Sequence, residues 1–255
     1  MFLSIIIPIY NNKINLLRLL ENLKQQTVFN LYQNQVEVIV VDDGSKEIEK
    51  LKASLSSRHG GMVAEATRNL EIKGLELKKY FIDHSGAPAA RNFGFKKSTG
   101  KYIFFCDSDV IFLQSNSLEK MLNMLENNPD KAYCYSSFKF GWKKFKLWPF
   151  DAEKLKHNNY ISTMSLIRRG ALEKLSFPNV PFDESLKKFQ DWDLWLALLE
   201  VGETGIFLPE ILWQAESGGT MSNWLPKIFY KIFKNSDKVQ EYKKYKRIIK
   251  EKYDL

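Results

Sequence analysis

Cysteine and histidine are scarce in this 255-residue chain, which contains two cysteines and three histidines. Two cysteines are too few for a disulfide framework, and no histidine stands at metal-ligand spacing from another histidine or a cysteine. We therefore expect no zinc site. Cys106 and Cys134 each lie in a strand-like apolar segment, so we interpret both as buried thiols.

Long apolar runs are also missing, and none approaches the ~18–20 residues that a membrane-spanning helix requires. The first ten residues, MFLSIIIPIY, are apolar but have neither a positively charged start nor a small-residue cleavage site. We interpret them as a buried strand that ends near Pro8, and we expect a cytoplasmic protein.

Positive charge is concentrated near the C-terminus. The chain carries a formal net charge of +8, and residues 225–255 hold ten Lys or Arg against four Asp or Glu. Such a segment indicates an anionic partner surface without specifying nucleic acid. Residues 224–234 also place apolar side chains at helical spacing opposite lysines. This helix would either pack on the rest of the chain or lie on an anionic membrane surface.

Strand and helix signals alternate through the first half, which predicts an α/β fold with a mainly parallel sheet flanked by helices. The apolar patterns predict strands over 4–9, 36–41, 75–82, 101–106 and 132–137 and helices over 14–26, 46–58, 86–97 and 117–127. Later patterns predict a helix over 191–201 and a strand over 206–213, and residues 138–150 interleave aromatics with lysines.

Three polar clusters follow predicted strands, at the carboxyl ends where α/β sheets bind ligands. They are Tyr10-Asn11-Asn12, Asp42-Asp43-Gly44-Ser45 and Asp107-Ser108-Asp109. Two carboxylates one residue apart in the last cluster would suit Mg²⁺ or Mn²⁺, which prefer oxygen ligands. Taken alone, the two aspartate clusters are better explained as ordinary turns.

Two helix starts have similarly open interpretations. Arg91, in the small-residue segment Gly86–Gly94, would either pair with a phosphate or form a structural ion pair. Asp191, in Gln190-Asp191-Trp192-Asp193, suits a first-turn position and equally the general base of a reaction.

Taken together and in order, these motifs resemble the family 2 inverting glycosyltransferases with the GT-A fold. The resemblance covers about residues 1–215 and includes Phe182-Asp183-Glu184 ahead of Asp191. It implies a UDP-sugar or related nucleotide-sugar donor, a Mn²⁺ or Mg²⁺ cofactor, and a glycan or lipid-linked glycan acceptor, without nucleic acid as a partner.

The resemblance also implies a role for each matching position. Pro8 and Tyr10 would line the nucleotide pocket, Asp43 would bind the base, and Arg91 would lie near the nucleotide. Asp107 would approach the ribose or the metal, Asp109 would coordinate the metal, and Asp191 would be the catalytic base. Gln190 replaces the glutamate that the family places before this aspartate, and residues 216–222 lack a basic side chain for the diphosphate.

The resemblance divides the chain into a glycosyltransferase domain and an extension. The domain would span 1–223, with a nucleotide-binding half over 1–110 and an acceptor-side half over 111–223. The basic helical extension, 224–255, is the segment that would contact the inner face of the membrane. Two alternatives stay open: a catalytically inactive binding module for a nucleotide sugar or nucleic acid, and a phosphatase of the haloacid dehalogenase type.

Overall fold

The computed structural model describes residues 1–46, 77–175, 180–215 and 236–255. Its strands are β1 (Leu3–Ile9), β2 (Val36–Asp43), β3 (Leu77–Ile82), β4 (Tyr102–Phe105), β5 (Val110–Phe112), β6 (Tyr133–Phe140), β7 (Lys143–Phe145), β8 (Leu166–Arg168) and β9 (Gly205–Ala215). Its helices are α1 (Lys13–Leu23), α2 (Val28–Leu31), α3 (Ala87–Lys97), α4 (Ser117–Glu126), α5 (Ala152–His157), α6 (Arg169–Leu172), α7 (Gln190–Glu200) and α8 (Asp237–Lys252). The helix predicted over 46–58, apart from Lys46, lies outside the described residues, as do the segment 216–222 and the helix predicted over 224–234.

The first four strands form a parallel block in the order β3-β2-β1-β4. Every residue of β1 and β2 is buried, as expected for strands covered on both faces. The register pairs Ile9 with Asp42 and Asp43 with Ile82, so the carboxyl ends of β1, β2 and β3 meet at one edge. This edge carries the polar clusters that follow the strands.

The sheet continues from β4 through β8, β6 and β9 to β5, and β7 pairs with β6. Strand β8 is antiparallel to β4 and β6, and β5 is antiparallel to β9, whereas β6 and β9 are parallel. The predicted α/β class is confirmed, and the sheet is mixed because antiparallel pairs occur beyond β4. Residues 138–150, for which the sequence predicted no element, contain the β6–β7 hairpin.

The sheet is curled, which brings β5 close to β4 although three strands lie between them in the hydrogen-bonded order. The Phe104 and Phe112 rings lie 5.9 Å apart, and the Phe112 amide donates to Asn22 Oδ1 of α1 at 2.7 Å. The short segment from Phe105 to Val110 therefore does not cross the sheet. It turns at the edge where β1 and β2 end.

Two apolar cores cover the two faces of the sheet. One contains the buried face of α1 and α4, and the other contains α3 and α7. Helix α8 joins the second core through Tyr245 and Ile249, both nearly fully buried. The apolar side of α8 thus packs on the protein.

Among the residues that the structure describes, no helix is both long and apolar enough to cross a membrane.

Candidate active site

Asp43, at the end of β2, is held by backbone amides at the start of α3. Its two carboxylate oxygens accept hydrogen bonds from the Ser85 and Gly86 amides at 2.8 and 2.9 Å, and only 3% of the residue is exposed. His84 Nδ1 lies 2.9 Å from the same carboxylate. Gly44 follows with φ +73°, and a Cβ there would meet His84 N at 2.8 Å, so this turn requires glycine.

Tyr10 provides an aromatic surface beside this carboxylate. Its ring stacks on His84 with centroids 4.2 Å apart and planes 21° apart, and 41% of Tyr10 is exposed. The neighbouring Asn11 amide donates to Ser45 Oγ at 2.9 Å, which ties the end of β1 to the end of β2. Pro8 lies buried within β1, two residues earlier. The sequence-predicted residues Tyr10 and Asp43 therefore lie on either side of His84, and the three side chains form one wall of the candidate site.

Arg91 links three elements at the centre of the site. From α3, its Nη2 lies 2.6 Å from Asp107 Oδ1 and its Nη1 donates to Gln190 Oε1 at 3.3 Å. The guanidinium is buried and lies over the Phe182 ring, 5.3 Å from its centroid. Of the two interpretations of Arg91, the structure shows the ion pair. The same ion pair brings the Asp-Ser-Asp turn next to the start of α7.

Asp107 and Asp109 occupy the turn between β4 and β5, and both are partly buried. Among the described residues, no three or more His, Cys, Asp or Glu side chains group as a metal site. The described part of the chain would therefore supply these two carboxylates. This number fits Mg²⁺ or Mn²⁺ bound together with substrate phosphates and water, because Mg²⁺ commonly uses only one or two protein carboxylates.

Asp191 lies in the first turn of α7, where the preceding Phe189 has φ +63°. Its Oδ1 accepts hydrogen bonds from Asn159 Nδ2 and from the Trp192 amide, both at 2.9 Å. Burial raises the pKa of Asp191 above its ordinary value, and these two donors and the charge of Arg91 lower it only in part. A carboxylate with a raised pKa is a better proton acceptor, which suits general-base chemistry.

Behind Asp191, α8 anchors the same helix through Asp193. The buried Asp193 carboxylate lies 2.7 Å from Lys252 Nζ and accepts from the Tyr253 hydroxyl at 2.8 Å. Lys252 also lies 3.2 Å from Asp183. Burial raises the pKa of Asp193, and Lys252 lowers it in part.

The burial of Lys252 acts to lower its pKa, but Asp193 and Asp183 raise it on balance. Sequence reasoning missed Asn159, Lys252 and Tyr253, because no spacing in the chain connects them to α7.

A protein-family model described as glycosyl transferase family 2 matches residues 4–176, more than half of the chain. The chain belongs to glycosyl transferase family 2. The resemblance inferred from the motifs is thereby confirmed at the level of the family. The matched range includes Asp43, Arg91, Asp107 and Asp109, and Asp191 follows it.

Curated relatives of this family 2 chain carry glycosyltransferase names. It is 29% identical over 208 residues to an uncharacterized glycosyltransferase of Haemophilus influenzae, a match covering 78% of this chain and 62% of the relative. It is 27% identical to the uncharacterized glycosyltransferase YwdF of Bacillus subtilis, over 77% of this chain and 67% of YwdF. The first of these matches leaves more than a third of the relative's length uncovered.

Solved structures share the fold. S. aureus TarS 1–349 in complex with UDP-GlcNAc superposes with a TM-score of 0.65 at 18% identity, covering 91% of this chain and 64% of that one. The mannosyltransferase PcManGT of Pyrobaculum calidifontis, in complex with GDP-Man and Mn²⁺, gives a TM-score of 0.57 at 15% identity, over 84% of this chain and 56% of that one. These likenesses establish the GT-A type of fold for the family 2 chain.

Proposed function

We propose that this family 2 chain transfers a sugar from a nucleoside-diphosphate sugar to an acceptor hydroxyl, inverting the configuration of the anomeric carbon. The observation that carries the proposal is the bridge made by Arg91, which contacts Asp107 on one side and Gln190 on the other. This bridge brings the Asp-Ser-Asp turn and the helix start bearing Asp191 to one edge of the sheet. A donor phosphate group and an acceptor hydroxyl could therefore bind next to each other.

The donor half of the proposal rests on the wall formed by Tyr10, His84 and Asp43. An exposed stacked aromatic surface suits a planar base, and Asp43 carries the base-binding role that the resemblance implies. Asp43 Oδ1 accepts one amide and has a second lone pair for a base N–H, whereas Oδ2 accepts the Gly86 amide and lies beside His84 Nδ1. We propose UDP-sugars first, since TarS structures hold UDP and UDP-GlcNAc, with GDP-sugars second because PcManGT holds GDP-Man.

Asp191 would be the base. Its carboxylate takes the proton of the acceptor hydroxyl while the hydroxyl oxygen forms a bond to the anomeric carbon. The bond from that carbon to the diphosphate oxygen breaks, and the nucleoside diphosphate leaves with the electron pair. Asn159 and the Trp192 amide would fix the direction of the carboxylate, and the raised pKa improves its basicity. A single displacement inverts the stereochemistry.

Asp109, with Asp107, would hold Mg²⁺ or Mn²⁺ beside the diphosphate. A bound divalent cation would stabilise the negative charge of the leaving diphosphate. Arg91 would support this cation indirectly, because its guanidinium is paired with Asp107 and holds that carboxylate in place. We therefore assign Arg91 an orienting function within the nucleotide site.

For the acceptor, we propose a glycan or lipid-linked glycan in cell-surface polysaccharide synthesis. The minor teichoic acid biosynthesis protein GgaA of Bacillus subtilis is 32% identical over 120 residues, covering 46% of this chain and 23% of GgaA. We retain residues 1–223 as the glycosyltransferase domain and 224–255 as a basic extension. Because α8 packs its apolar side on the protein, this helix could meet a membrane only through its charged side.

A donor screen tests the proposal. UDP-, GDP- and dTDP-sugars are incubated with the protein, a mixture of glycan acceptors and Mn²⁺, Mg²⁺ or EDTA, and released nucleoside diphosphate is measured. We expect cation-dependent release from one nucleotide class, most strongly UDP. Cation-dependent donor binding without release would instead identify a binding module, and release of inorganic phosphate would identify a phosphatase.

A further inference from the structure

The β6–β7 hairpin presents an exposed indole at its apex. Trp142, in the turn between the two strands, is 94% exposed. Beyond it, Lys144, Lys146 and Trp148 are also exposed, whereas the residues between them are partly buried. Strand side chains point alternately to opposite faces, so this alternation places aromatic and cationic groups along one outer edge.

The charge of this hairpin is entirely positive. Four lysines and no acidic residue occur over residues 132–150. Within the described part of the chain, neither Lys144 nor Lys146 forms an ion pair. The hairpin is therefore complementary in charge to an anionic surface.

A stack of rings holds the hairpin in place. Phe145 of β7 stacks on Phe138 of β6 with centroids 5.0 Å apart, and Phe138 stacks on Trp213 of β9 at 4.5 Å. The Leu147 amide donates to Ser137 Oγ at 3.0 Å, which ties the returning segment to β6. The apex is thus supported from behind and projects from the sheet.

The hairpin projects at the edge that bears the candidate active site. Ala215 of β9 pairs with Phe140 on one side and with Val110, next to Asp109, on the other. The Gly141 amide also donates to the Ala215 carbonyl at 3.0 Å. Adjacent strands are about 4.8 Å apart, so the base of the hairpin lies roughly 10 Å from the Asp-Ser-Asp turn.

We propose that the β6–β7 hairpin is a contact surface for an anionic phospholipid membrane. Trp142 enters the headgroup region, where tryptophan is enriched in membrane proteins, and Lys144 and Lys146 lie over lipid phosphates. A convex apex suits a deformable lipid surface, whereas glycans and nucleotides bind in concave sites that enclose them. The proposal does not depend on the transferase activity, although docking here would face the active-site edge toward the membrane.

Vesicle sedimentation of the full chain tests this proposal. The vesicles contain phosphatidylcholine alone or with about 30% phosphatidylglycerol, at low and physiological salt. We expect binding only to the anionic vesicles. Lys144→Gln with Lys146→Gln should weaken it about 25-fold, since each lysine near an anionic surface contributes about a factor of five. Trp142→Ala should weaken it as well.

A matched control removes the same charge at the opposite edge of the sheet. Lys96→Gln with Lys101→Gln should leave vesicle binding unchanged, and thermal unfolding checks that every variant is folded. Parental binding by the hairpin variants would overturn the proposal, as would absence of binding by the parent chain. Equal competition by soluble polyphosphate, with no effect of Trp142→Ala, would also overturn it by showing a general polyanion surface.

Discussion

The two regions of the sheet hold their candidate carboxylates in different ways. In the region of β1–β4, Asp42 and Asp43 accept hydrogen bonds from backbone amides, those of Ser45, Ser85 and Gly86. In the region of β5–β9, Asp191 and Asp193 depend on side chains from distant segments. The proposed donor site is therefore held by backbone amides, whereas the position of the proposed base depends also on side chains of other segments.

Arg91 is the point where the two regions meet. It belongs to the helix that follows β3, yet it contacts Asp107 and Gln190. A substitution of Asp191 should therefore change the transfer rate. Substitutions of Arg91 and Lys252 should change the free energy of unfolding, and a substitution of Asn159 should change the pKa of Asp191.

The largest expected effect is on chemistry. Asp191→Asn removes the proposed proton acceptor but keeps the size of the side chain, so the transfer rate should fall about 1,000-fold. Donor affinity, measured by calorimetry with a nucleotide sugar and Mn²⁺, should stay at the parental value. Asp130→Asn, at an exposed carboxylate outside the site, serves as the control. Transfer at the parental rate by the Asp191 variant would show that this residue is not the base.

The link between the regions should matter most for stability. Arg91→Met removes the cation that pairs with the largely buried Asp107 carboxylate. We expect a loss of about 3 kcal/mol in the free energy of unfolding. Urea unfolding followed by circular dichroism measures the loss. Lys24→Met, which breaks an exposed pair with Glu21, should cost no more than about 0.5 kcal/mol. Equal losses in the two variants would argue against a structural role for the Arg91 bridge.

Lys252→Met tests the support from α8. Since the Lys252 side chain is 40% exposed, solvent screening limits the expected loss to about 1–2 kcal/mol at neutral pH. The Asp193 pKa is already raised in the folded chain, so ionised Asp193 opposes folding as pH rises through that pKa. Removing Lys252 should raise the pKa of Asp193 further, because Lys252 lowers it in the parent chain.

The stability difference between parent and Lys252→Met should therefore shrink as pH falls from neutral toward about 4, through the raised pKa of Asp193, because protonated Asp193 no longer pairs with Lys252. Urea unfolding across this pH range measures it, with Lys243→Met as the control at an exposed position of α8. A difference that is constant with pH would exclude Asp193 as the partner that matters.

The smallest expected effect concerns the pH dependence of transfer. Asn159 lowers the pKa of Asp191, so Asn159→Ala should raise it. Because the base acts when deprotonated, kcat/KM should decline at a higher pH on the acid side, by up to about one pH unit. Asn158→Ala, at the neighbouring exposed asparagine, should leave the profile unchanged. A shift to lower pH, or no shift, would contradict the assignment.

Sequence reasoning reached some parts of the site and not others. The buried runs of β1 and β2 and the Asp-Gly turn were predictable, because strand periodicity and turn chemistry are local properties. The β6–β7 hairpin was not predicted, although the alternation around Gly141 was a usable signal. The partners of Asp191 and Asp193 carried no signal, since Asn159 is 32 residues away from Asp191 and Tyr253 is 60 residues away from Asp193.

The sequence by itself determined the α/β class, the family and the candidate carboxylates, because each follows from local patterns and their order along the chain. Only the tertiary structure decided that Arg91 is paired with Asp107, that Asp191 is oriented by Asn159, and that α8 anchors α7. The physical reason is that burial and long-range ion pairs arise when distant segments pack together. Those same contacts set the pKa of the proposed base.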